Sequence, residues 1–290
     1  MANHKSELMK RRIIPGELPT KDLHQYLVGA IAPRPIAFVS TLDEDGNPNL
    51  APYSFFNTFS SNPPILVFSS NRKVTDNTTK DTLHNIRVTG ECVINIVNYP
   101  IVRQTALASV EFPSNDNEFV KVGLTPEKAE TVSAARVLES PVNFECKVKD
   151  IIELGDKGGA GHLIICEVTL ITVSEDVIEN DRINPHKLDL VGRLGRNYYV
   201  RASGDAIMEI YQPFIATPIG FDRLPESIRN SAILTGNELG YLASLNGFPE
   251  KEEVELDEHL FSLDFDSKQR KASEFIAQGK IKEAMVLLYF

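Results

Sequence analysis

The sequence has few cysteines and no apolar run of membrane-spanning length. Its three cysteines, Cys92, Cys146 and Cys166, lie far apart within apolar segments. An odd number at this spacing argues against a disulfide framework and a four-ligand zinc site, so we expect buried thiols in a reducing compartment. No apolar stretch approaches the ~20 residues of a membrane span, and residues 1–19 lack the apolar run of a signal peptide. These absences predict a cytoplasmic protein.

Basic residues and metal-ligand patterns are scarce as well. Thirty Lys and Arg face forty Asp and Glu, which leaves a formal net charge of -10. This balance argues against a nucleic-acid partner, because such a partner requires a basic face that displaces counterions. The six histidines include no pair at metal-ligand spacing, so we expect no histidine metal centre. The glycine cluster at 155–161 leads into a strand and contains no Gly-Lys-Ser/Thr, which favours a mobile hairpin connection over a nucleotide loop.

The composition is that of an ordinary globular protein, 42% apolar and 24% charged. At 290 residues the chain exceeds the usual size of one domain. Period-two alternation dominates up to about residue 204, and helical periodicity follows, with a capping-box pattern at Thr235 and Glu238. We predict a mainly β domain over 1–204 and a helical extension over 205–290. We expect an apolar stripe on the last helix to pack on the main domain or on a second subunit. The stripe consists of Ile281, Ala284, Met285 and Leu288.

Residues 34–61 join a hairpin signal to an aromatic cluster. Asp45-Gly46 separates two apolar runs, which strongly indicates a β-hairpin. Aromatic residues then alternate with small hydroxyl and amide side chains over residues 53–60. Such a wall suits a planar ring with polar edges, because the aromatics exclude water while Ser, Asn and backbone groups bind the heteroatoms. From these residues alone, a barrel core with its turn is the favoured interpretation.

A strand over residues 63–70 precedes a helix start that is rich in hydroxyls and bases. Cap-forming Thr and Asp residues at 75–82 lead into a helix that ends at Gly90. Free N–H groups and the positive end of the helix dipole make such a start a good anion site, and Arg72, Lys73 or Lys80 can add charge. Ordinary capping explains the same residues without a ligand, so both interpretations stay open.

Two later segments also carry polar chemistry. His162 opens the strand after the glycine cluster, where a structural hydrogen bond is the more frequent role and a proton donor at a pocket rim is the alternative. Residues 192–199 place two arginines, an amide and two tyrosines beside glycines. They could contact a phosphate or a ring, although a salt-bridged surface turn is favoured for this segment in isolation.

Five motifs together give the chain its most specific pattern. Over about residues 24 to 200 the chain resembles the flavin reductase-like, FMN-binding split-barrel family, with the motifs in the same order. The motifs are RPIAFVST, NLAPYSFFN, KDTLHNI, GHLIICEV and VGRLGRNYY. The resemblance implies a six-stranded Greek-key split barrel, usually a homodimer with FMN at the subunit interface.

The resemblance also implies a set of flavin contacts. The residues along the isoalloxazine ring would be Ser54, Phe55, Phe56 and Asn57. The residues at the phosphate end would be Lys80, Asp81 and Thr82, with Arg72 or Lys73 nearby. The segment that often closes the site, from the same or the partner subunit, would be represented by Arg193, Asn197 and Tyr198.

His162 matches the histidine that helps to place the nicotinamide in reductases of this family. There it follows a Gly-Asp pair, whereas Ala160-Gly161 precede it in this chain. FMN would carry the chemistry, so the lack of a catalytic triad or paired carboxylates is no obstacle. We expect an NAD(P)H:flavin reductase that passes hydride from NADH or NADPH to FMN, with electrons leaving to free flavin, oxygen or a partner oxygenase. Because the acid is missing, two alternatives stay open: an oxidoreductase with a fixed prosthetic FMN, and a non-catalytic flavin-binding or interaction protein.

Overall fold

The computed structural model describes residues 10–113, 116–210 and 217–290, so residues 1–9 of the polar start lie outside it. The chain divides into two compact units between Met208 and Glu209. Within the described ranges, no helix is both long and apolar enough to cross a membrane. The strands are β1 Ala37–Leu42, β2 Pro48–Tyr53, β3 Phe56–Ser61, β4 Pro64–Asn71, β5 Glu91–Ile96, β6 Pro126–Glu127, β7 Arg136–Val137, β8 Val142–Glu153, β9 Gly161–Val173, β10 Ile178–Glu179, β11 Arg182–Ile183, β12 Val191–Arg193 and β13 Tyr199–Arg201. The helices are α1 Thr20–Ala30, α2 Asp81–Thr89, α3 Val102–Leu107, α4 Glu118–Val122, α5 Pro185–Leu188, α6 Glu226–Arg229, α7 Gly236–Ala243, α8 Glu258–Phe261, α9 Phe265–Ala277 and α10 Ile281–Tyr289.

The first unit is organised around one sheet of seven strands in the order β2-β1-β5-β8-β9-β4-β3. Every neighbouring pair is antiparallel. The predicted β1–β2 hairpin is confirmed: Gly46 has φ +83°, a left-handed value that favours glycine, and Asp43 accepts a hydrogen bond from the Asn47 N–H at 2.7 Å. Seven strands are present against six expected, because residues 56–61 of the aromatic segment pair with β4.

The two edge strands of this sheet are consecutive in the chain. β2 ends at Tyr53 and β3 begins at Phe56, so only Ser54 and Phe55 connect opposite edges. Three peptide steps span at most about 11 Å. The sheet must therefore curl until its edges approach each other, which makes it a barrel that stays split between β2 and β3. Ser54 and Phe55 lie at the split.

Both faces of β1 are buried, which explains why apolar residues stand on each of them. Ala37 and Val39 belong to a core in which side chains from six strands and α2 converge, as they do inside a barrel. Ile36 and Phe38 belong to a second core, which includes Phe119 of α4. One face of β1 thus packs against the core that contains α4, and its opposite face packs against the core that contains α2.

The three cysteines lie in the core that α2 shares with the strands. They are free and buried, as expected. Cys92 and Cys146 are cross-strand partners, and Cys92 Sγ lies 3.9 Å from Cys166 Sγ. In the described structure the thiols fill the barrel interior.

The second unit is helical and has a core of its own. The predicted capping box is confirmed, with Thr235 and Glu238 at the start of α7. Ala284, Met285 and Leu288 of the predicted stripe are buried among side chains of α7 and α9. The expectation that this stripe packs on the main domain or on a second subunit is therefore wrong, because the stripe is used inside the second unit.

Candidate functional site

Four cavities of the first unit share lining residues. The central cavity, of 450 Å³, is lined by α1, the split at Ser54 and Phe55, Lys80 and residues 193–197. It shares Phe55 with an apolar cavity of 840 Å³ and Lys80 with a helix cavity of 160 Å³ at the start of α2. It shares Arg196 with a hairpin cavity of 710 Å³. The central cavity is therefore the neighbour of the other three.

Positive charge dominates the central cavity. Its lining includes four cationic side chains and no Asp or Glu, although the whole chain has a net charge of -10. The four are Arg34, Lys80, Arg193 and Arg196. Burial lowers the pKa of Arg34, and the charge of Arg193 lowers it further. Cations held together without an acid create a field that is complementary to an anion.

Arg34 opens the RPIAFVST motif, yet the sequence did not indicate that it belongs to the site. It is 7% exposed, and its guanidinium donates hydrogen bonds to the carbonyl oxygens of Val28 at 2.7 Å and Leu194 at 3.1 Å. It also donates to Ile31 O, and its Nε lies 3.4 Å from Ser54 Oγ. One buried side chain thus connects the end of α1, the split in the barrel and the segment after β12.

Lys80 precedes α2 and lines both the central and the helix cavity. Its ammonium lies 5.3 Å from the centre of the Tyr53 ring, and no carboxylate of the described residues forms an ion pair with it. Burial lowers the pKa of Lys80; Glu111 opposes this shift and Lys73 adds to it. Lys73, by contrast, forms an ion pair of 3.0 Å with Glu111. Lys80 is therefore the lysine that is available to an anionic ligand.

The start of α2 has no side-chain cap. Lys80 is the N-cap residue, and no side chain of the described residues bonds to the first N–H groups of the helix. Thr82 is buried and accepts a hydrogen bond from Asn49 at 2.8 Å instead, while Asp81 lines the helix cavity. The helix ends at Gly90 with φ +70°, as predicted. Capping by Thr and Asp, the alternative left open by the sequence, is not observed, so the N–H groups beside Lys80 can meet an anion.

The split in the barrel separates the central cavity from the apolar one. Phe55 lines both cavities, and its ring centre lies 5.9 Å from the Arg34 guanidinium. Ser54 lines only the central cavity, whereas Phe56 and Asn57 line only the apolar cavity. The aromatic segment thus forms a wall between the two cavities, with Ser54 on the side of the central cavity and Phe56 and Asn57 on the side of the apolar cavity.

The glycine cluster after β8 packs against the loop that follows β4. A Cβ at Gly158 would lie 2.9 Å from Lys73 O, and one at Gly161 would lie 2.6 Å from Ser69 Oγ. The expected hairpin connection is confirmed, and its glycines allow this close approach. In the same loop, Arg72 lines the apolar cavity, and its buried Nε has no hydrogen-bond partner in the described part of the chain.

Residues 192–199 form a hairpin of β12 and β13. Arg193 pairs with Tyr199 across the hairpin, and its guanidinium lies 4.6 Å from the centre of that ring. At the tip, Arg196 has φ +56°, a left-handed conformation that costs a non-glycine residue roughly 1–2 kcal/mol. Asn197 lines the central cavity and Tyr198 the hairpin cavity. The tip therefore contributes to two cavities.

His162 lies apart from these cavities. It is fully buried, and its Nδ1 lies 2.9 Å from Ser70 O. Its Nε2 has no hydrogen-bond partner within the described ranges. Because it lines none of the four cavities, the structure does not bring it together with the other predicted site residues.

Each of the twelve residues expected to contact flavin lines at least one cavity. Those in the central cavity are Ser54, Phe55, Lys80, Arg193 and Asn197. Those in the apolar cavity are Phe55, Phe56, Asn57 and Arg72. Those in the helix cavity are Lys73, Lys80, Asp81 and Thr82, and Tyr198 lines the hairpin cavity. The twelve residues thus lie along cavities of the first unit, and the structure divides them among separate spaces.

The chain combines a split antiparallel barrel with a cationic cavity beside Phe55 at the split. This combination indicates the class of flavin reductase-like split barrels. The chain belongs to the flavin reductase like domain family, which matches residues 29–189. The resemblance seen in the motifs is therefore confirmed. The match ends before the β12–β13 hairpin and the second unit.

Relatives by sequence and by solved structure support the same assignment. An uncharacterized protein of Aquifex aeolicus (strain VF5) is 41% identical over 190 residues, which are 65% of this chain and 94% of that protein. Nitrilotriacetate monooxygenase component B from Bacillus cereus is 32% identical with a TM-score of 0.64, covering 71% of this chain and 99% of its own. The 2-nitrobenzoate 2-nitroreductase of Pseudomonas fluorescens is 28% identical with a TM-score of 0.61, covering 72% of this chain and 100% of its own.

Proposed function

We propose that this protein is an FMN-dependent oxidoreductase, specifically an NAD(P)H:flavin reductase that passes hydride from NADH or NADPH to FMN. The observation that carries the proposal is the central cavity, whose lining has four cationic side chains and no acid next to Phe55. The cations can bind a phosphate monoester, and the aromatic side chain can pack on a planar ring. FMN has both parts, and when bound it supplies the redox chemistry.

The charged residues fit the phosphate end of FMN. Lys80 would hold the phosphate together with the uncapped N–H groups of α2, because Lys80 directly precedes the helix and lines both the central cavity and the helix cavity at its start. Arg72, at the edge of the apolar cavity, is a further candidate, because its buried Nε has no hydrogen-bond partner within the described ranges. Lys73 would contribute less, since Glu111 already pairs with it. Asp81 and Thr82 would position the start of the helix.

The residues at the split fit the ring end. Phe55 and Phe56 would exclude water from the ring, and Ser54, Asn57 and Asn197 would meet its polar edge. Arg34 would act as a positioning residue, because its hydrogen bonds fix Ser54 relative to the segment after β12. Arg193 would close the site from the β12–β13 hairpin, with Tyr198 beside it at the hairpin cavity.

For His162 we propose a structural role in place of the nicotinamide contact that the resemblance implied. Its ring is buried and bonded to Ser70 O, and no described cavity reaches it. Hydride transfer between nicotinamide and flavin requires no protein acid at this position.

We further propose that the active form is a homodimer with FMN at the subunit interface. Large apolar side chains in the wall of the apolar cavity are exposed in the single chain, with Leu27 at 52%, Phe59 at 69% and Leu154 at 60%. Contiguous exposed apolar side chains of this kind favour association. Residues 1–204 would be the FMN-binding domain and 205–290 a helical extension to it.

The identity of the electron acceptor distinguishes a flavin reductase from an oxidoreductase with a fixed FMN. Similarity to a monooxygenase component favours release of reduced flavin to a partner oxygenase, whereas similarity to a nitroreductase favours a fixed FMN and a small-molecule acceptor. Steady-state NADH and NADPH consumption, measured with and without added free FMN, tests the proposal. Dependence on free FMN supports a flavin reductase. Turnover with a nitroaromatic acceptor alone supports the fixed cofactor, and no turnover in either assay supports a non-catalytic flavin-binding protein.

A further inference from the structure

The hairpin cavity is a second ligand-sized space next to the central one. It has a volume of 710 Å³ and lies between α1 and the tip of the β12–β13 hairpin. The tip packs closely on the helix, since a Cβ at Gly195 would lie 3.3 Å from Gly29 Cα. In its walls Tyr26 is 43% exposed and Tyr198 is 65% exposed. Apart from Gly29, its lining residues lie outside the segment 29–189 that matches the family.

Arg196 stands where the two cavities meet. It lines both of them, together with Gln25 and Leu194. Its φ of +56° is costly for an arginine, and strained backbone of this kind concentrates at functional sites. Among the described residues, none forms an ion pair or hydrogen bond with its guanidinium. An unpaired cation is thus held at the passage from the central to the hairpin cavity.

The charge of the central cavity exceeds what one flavin phosphate needs. A phosphate monoester carries about two negative charges at neutral pH. The cavity presents four cations and no acid. About two positive charges of the cavity therefore remain for a second anionic group after the phosphate is neutralised. Of the four cations, Arg196 is the one that also lines the hairpin cavity.

We propose that the hairpin cavity binds the adenosine end of the hydride donor, that Arg196 contacts its pyrophosphate, and that the donor is NADH. This inference rests on the proposed function. Tyr26 and Tyr198 would stack on the adenine, since exposed aromatic rings bind planar bases. Asp22 lines the hairpin cavity but not the central one, so it would lie near the adenosine ribose. A carboxylate there accepts hydrogen bonds from the ribose hydroxyls and repels the 2′-phosphate of NADPH.

The first test is binding of ADP-ribose to the FMN-loaded protein by isothermal titration calorimetry. We expect Arg196→Gln and Tyr198→Ser to weaken this binding by roughly tenfold. The matched control is Arg201→Gln, on the same hairpin, because Arg201 pairs with Asp189 at 2.7 and 2.8 Å; it should change the binding by less than about twofold. Asp22→Asn should improve binding of 2′-phospho-ADP-ribose relative to ADP-ribose. Equal ADP-ribose binding by wild type, Arg196→Gln and Tyr198→Ser would overturn the inference.

The second test compares NADH with reduced nicotinamide mononucleotide, which lacks the adenylate. In Arg196→Gln the KM for NADH should rise roughly tenfold, while the KM for the mononucleotide changes by less than about twofold. Equal changes for the two donors would contradict an adenylate site. A protein that binds FMN but is reduced by neither donor would contradict the proposed function, and the calorimetric titration would then still decide whether the hairpin cavity takes an adenine nucleotide.

Discussion

Arg34 and Arg193 exchange two backbone hydrogen bonds, from Arg34 N to Arg193 O at 2.9 Å and from Arg193 N to Arg34 O at 2.8 Å. This bridge holds two cationic residues side by side in the lining of the central cavity. After burial, the charge of Arg193 is the second cause that lowers the pKa of Arg34. The backbone hydrogen bonds hold the two residues together although their guanidinium charges repel each other. A bound anion would reduce this repulsion. The two residues therefore provide a site that is complementary to an anion.

Substitution of Lys80 tests the phosphate contact. Lys80→Gln should weaken FMN binding by roughly 1.5–3 kcal/mol, the usual contribution of a charge-assisted hydrogen bond. Binding of riboflavin, which has no phosphate, should hardly change. Fluorescence titration with both flavins measures the difference. Lys73→Gln is the control, because its ion pair with Glu111 should leave FMN affinity nearly unaltered; equal losses in the two variants would remove Lys80 from its assigned role.

Substitution of Arg34 tests the connection between α1, the split and the hairpin. Arg34→Lys cannot reproduce the set of hydrogen bonds to Val28, Ile31 and Leu194, so we expect the free energy of unfolding to fall by roughly 2–4 kcal/mol. FMN and riboflavin should lose affinity together, because the ring end of the site is disturbed. Urea unfolding and flavin titration measure the two effects. The exposed Arg87, which pairs with Glu153, provides the control Arg87→Lys, with an expected loss below about 1 kcal/mol.

Glu118 makes stability depend on pH. It is 8% exposed, and burial is the main cause that raises its pKa above the ordinary 4.5. A raised pKa means that the folded state favours the protonated acid, so the stability linked to this group is present below pH 4.5 and is lost as the pH rises through the folded pKa. Glu118→Gln should therefore gain stability over wild type as the pH increases above that value. Unfolding free energies of wild type and Glu118→Gln, measured from below pH 4.5 upward, test the sign; a difference that does not grow with pH would contradict it.

Phe59 tests the proposed homodimer. On β3 it is 69% exposed in the single chain. If the apolar cavity lies at the interface, Phe59→Ser should raise the dimer dissociation constant by at least about tenfold, because large aromatic side chains dominate such interfaces. Sedimentation velocity over a range of concentrations gives the constant. Val120 on α4, 76% exposed, supplies the matched control Val120→Ser; a dimer that is unaffected by the Phe59 substitution would place the interface elsewhere.

Local patterns in the sequence predicted local structure well. Asp45-Gly46 marked the β1–β2 turn, Gly90 marked the end of α2, and Thr235 with Glu238 marked the start of α7. In each case the signal depends on residues within a few positions of one another.

Features that depend on contacts between distant segments were missed. Residues 56–61 became a strand because β4 was available to pair with them, and their aromatic content gave no sign of it. Arg34 gained its importance from carbonyl groups of Val28 and Leu194. Its place between two prolines, which keep the backbone extended, was the one local signal. His162 followed the glycine cluster as expected, yet pairing with β4 turned it into the interior rather than toward a cavity.

The most direct test of the central claim is the visible absorption spectrum of the purified protein after incubation with FMN and removal of unbound flavin, followed by anaerobic addition of NADH and, in a separate sample, NADPH. We expect a bound-flavin spectrum that bleaches on reduction, faster with NADH than with NADPH. A colourless protein that retains no FMN would contradict the assignment of the central cavity, and bound FMN that stays oxidised with both donors would contradict the reductase function.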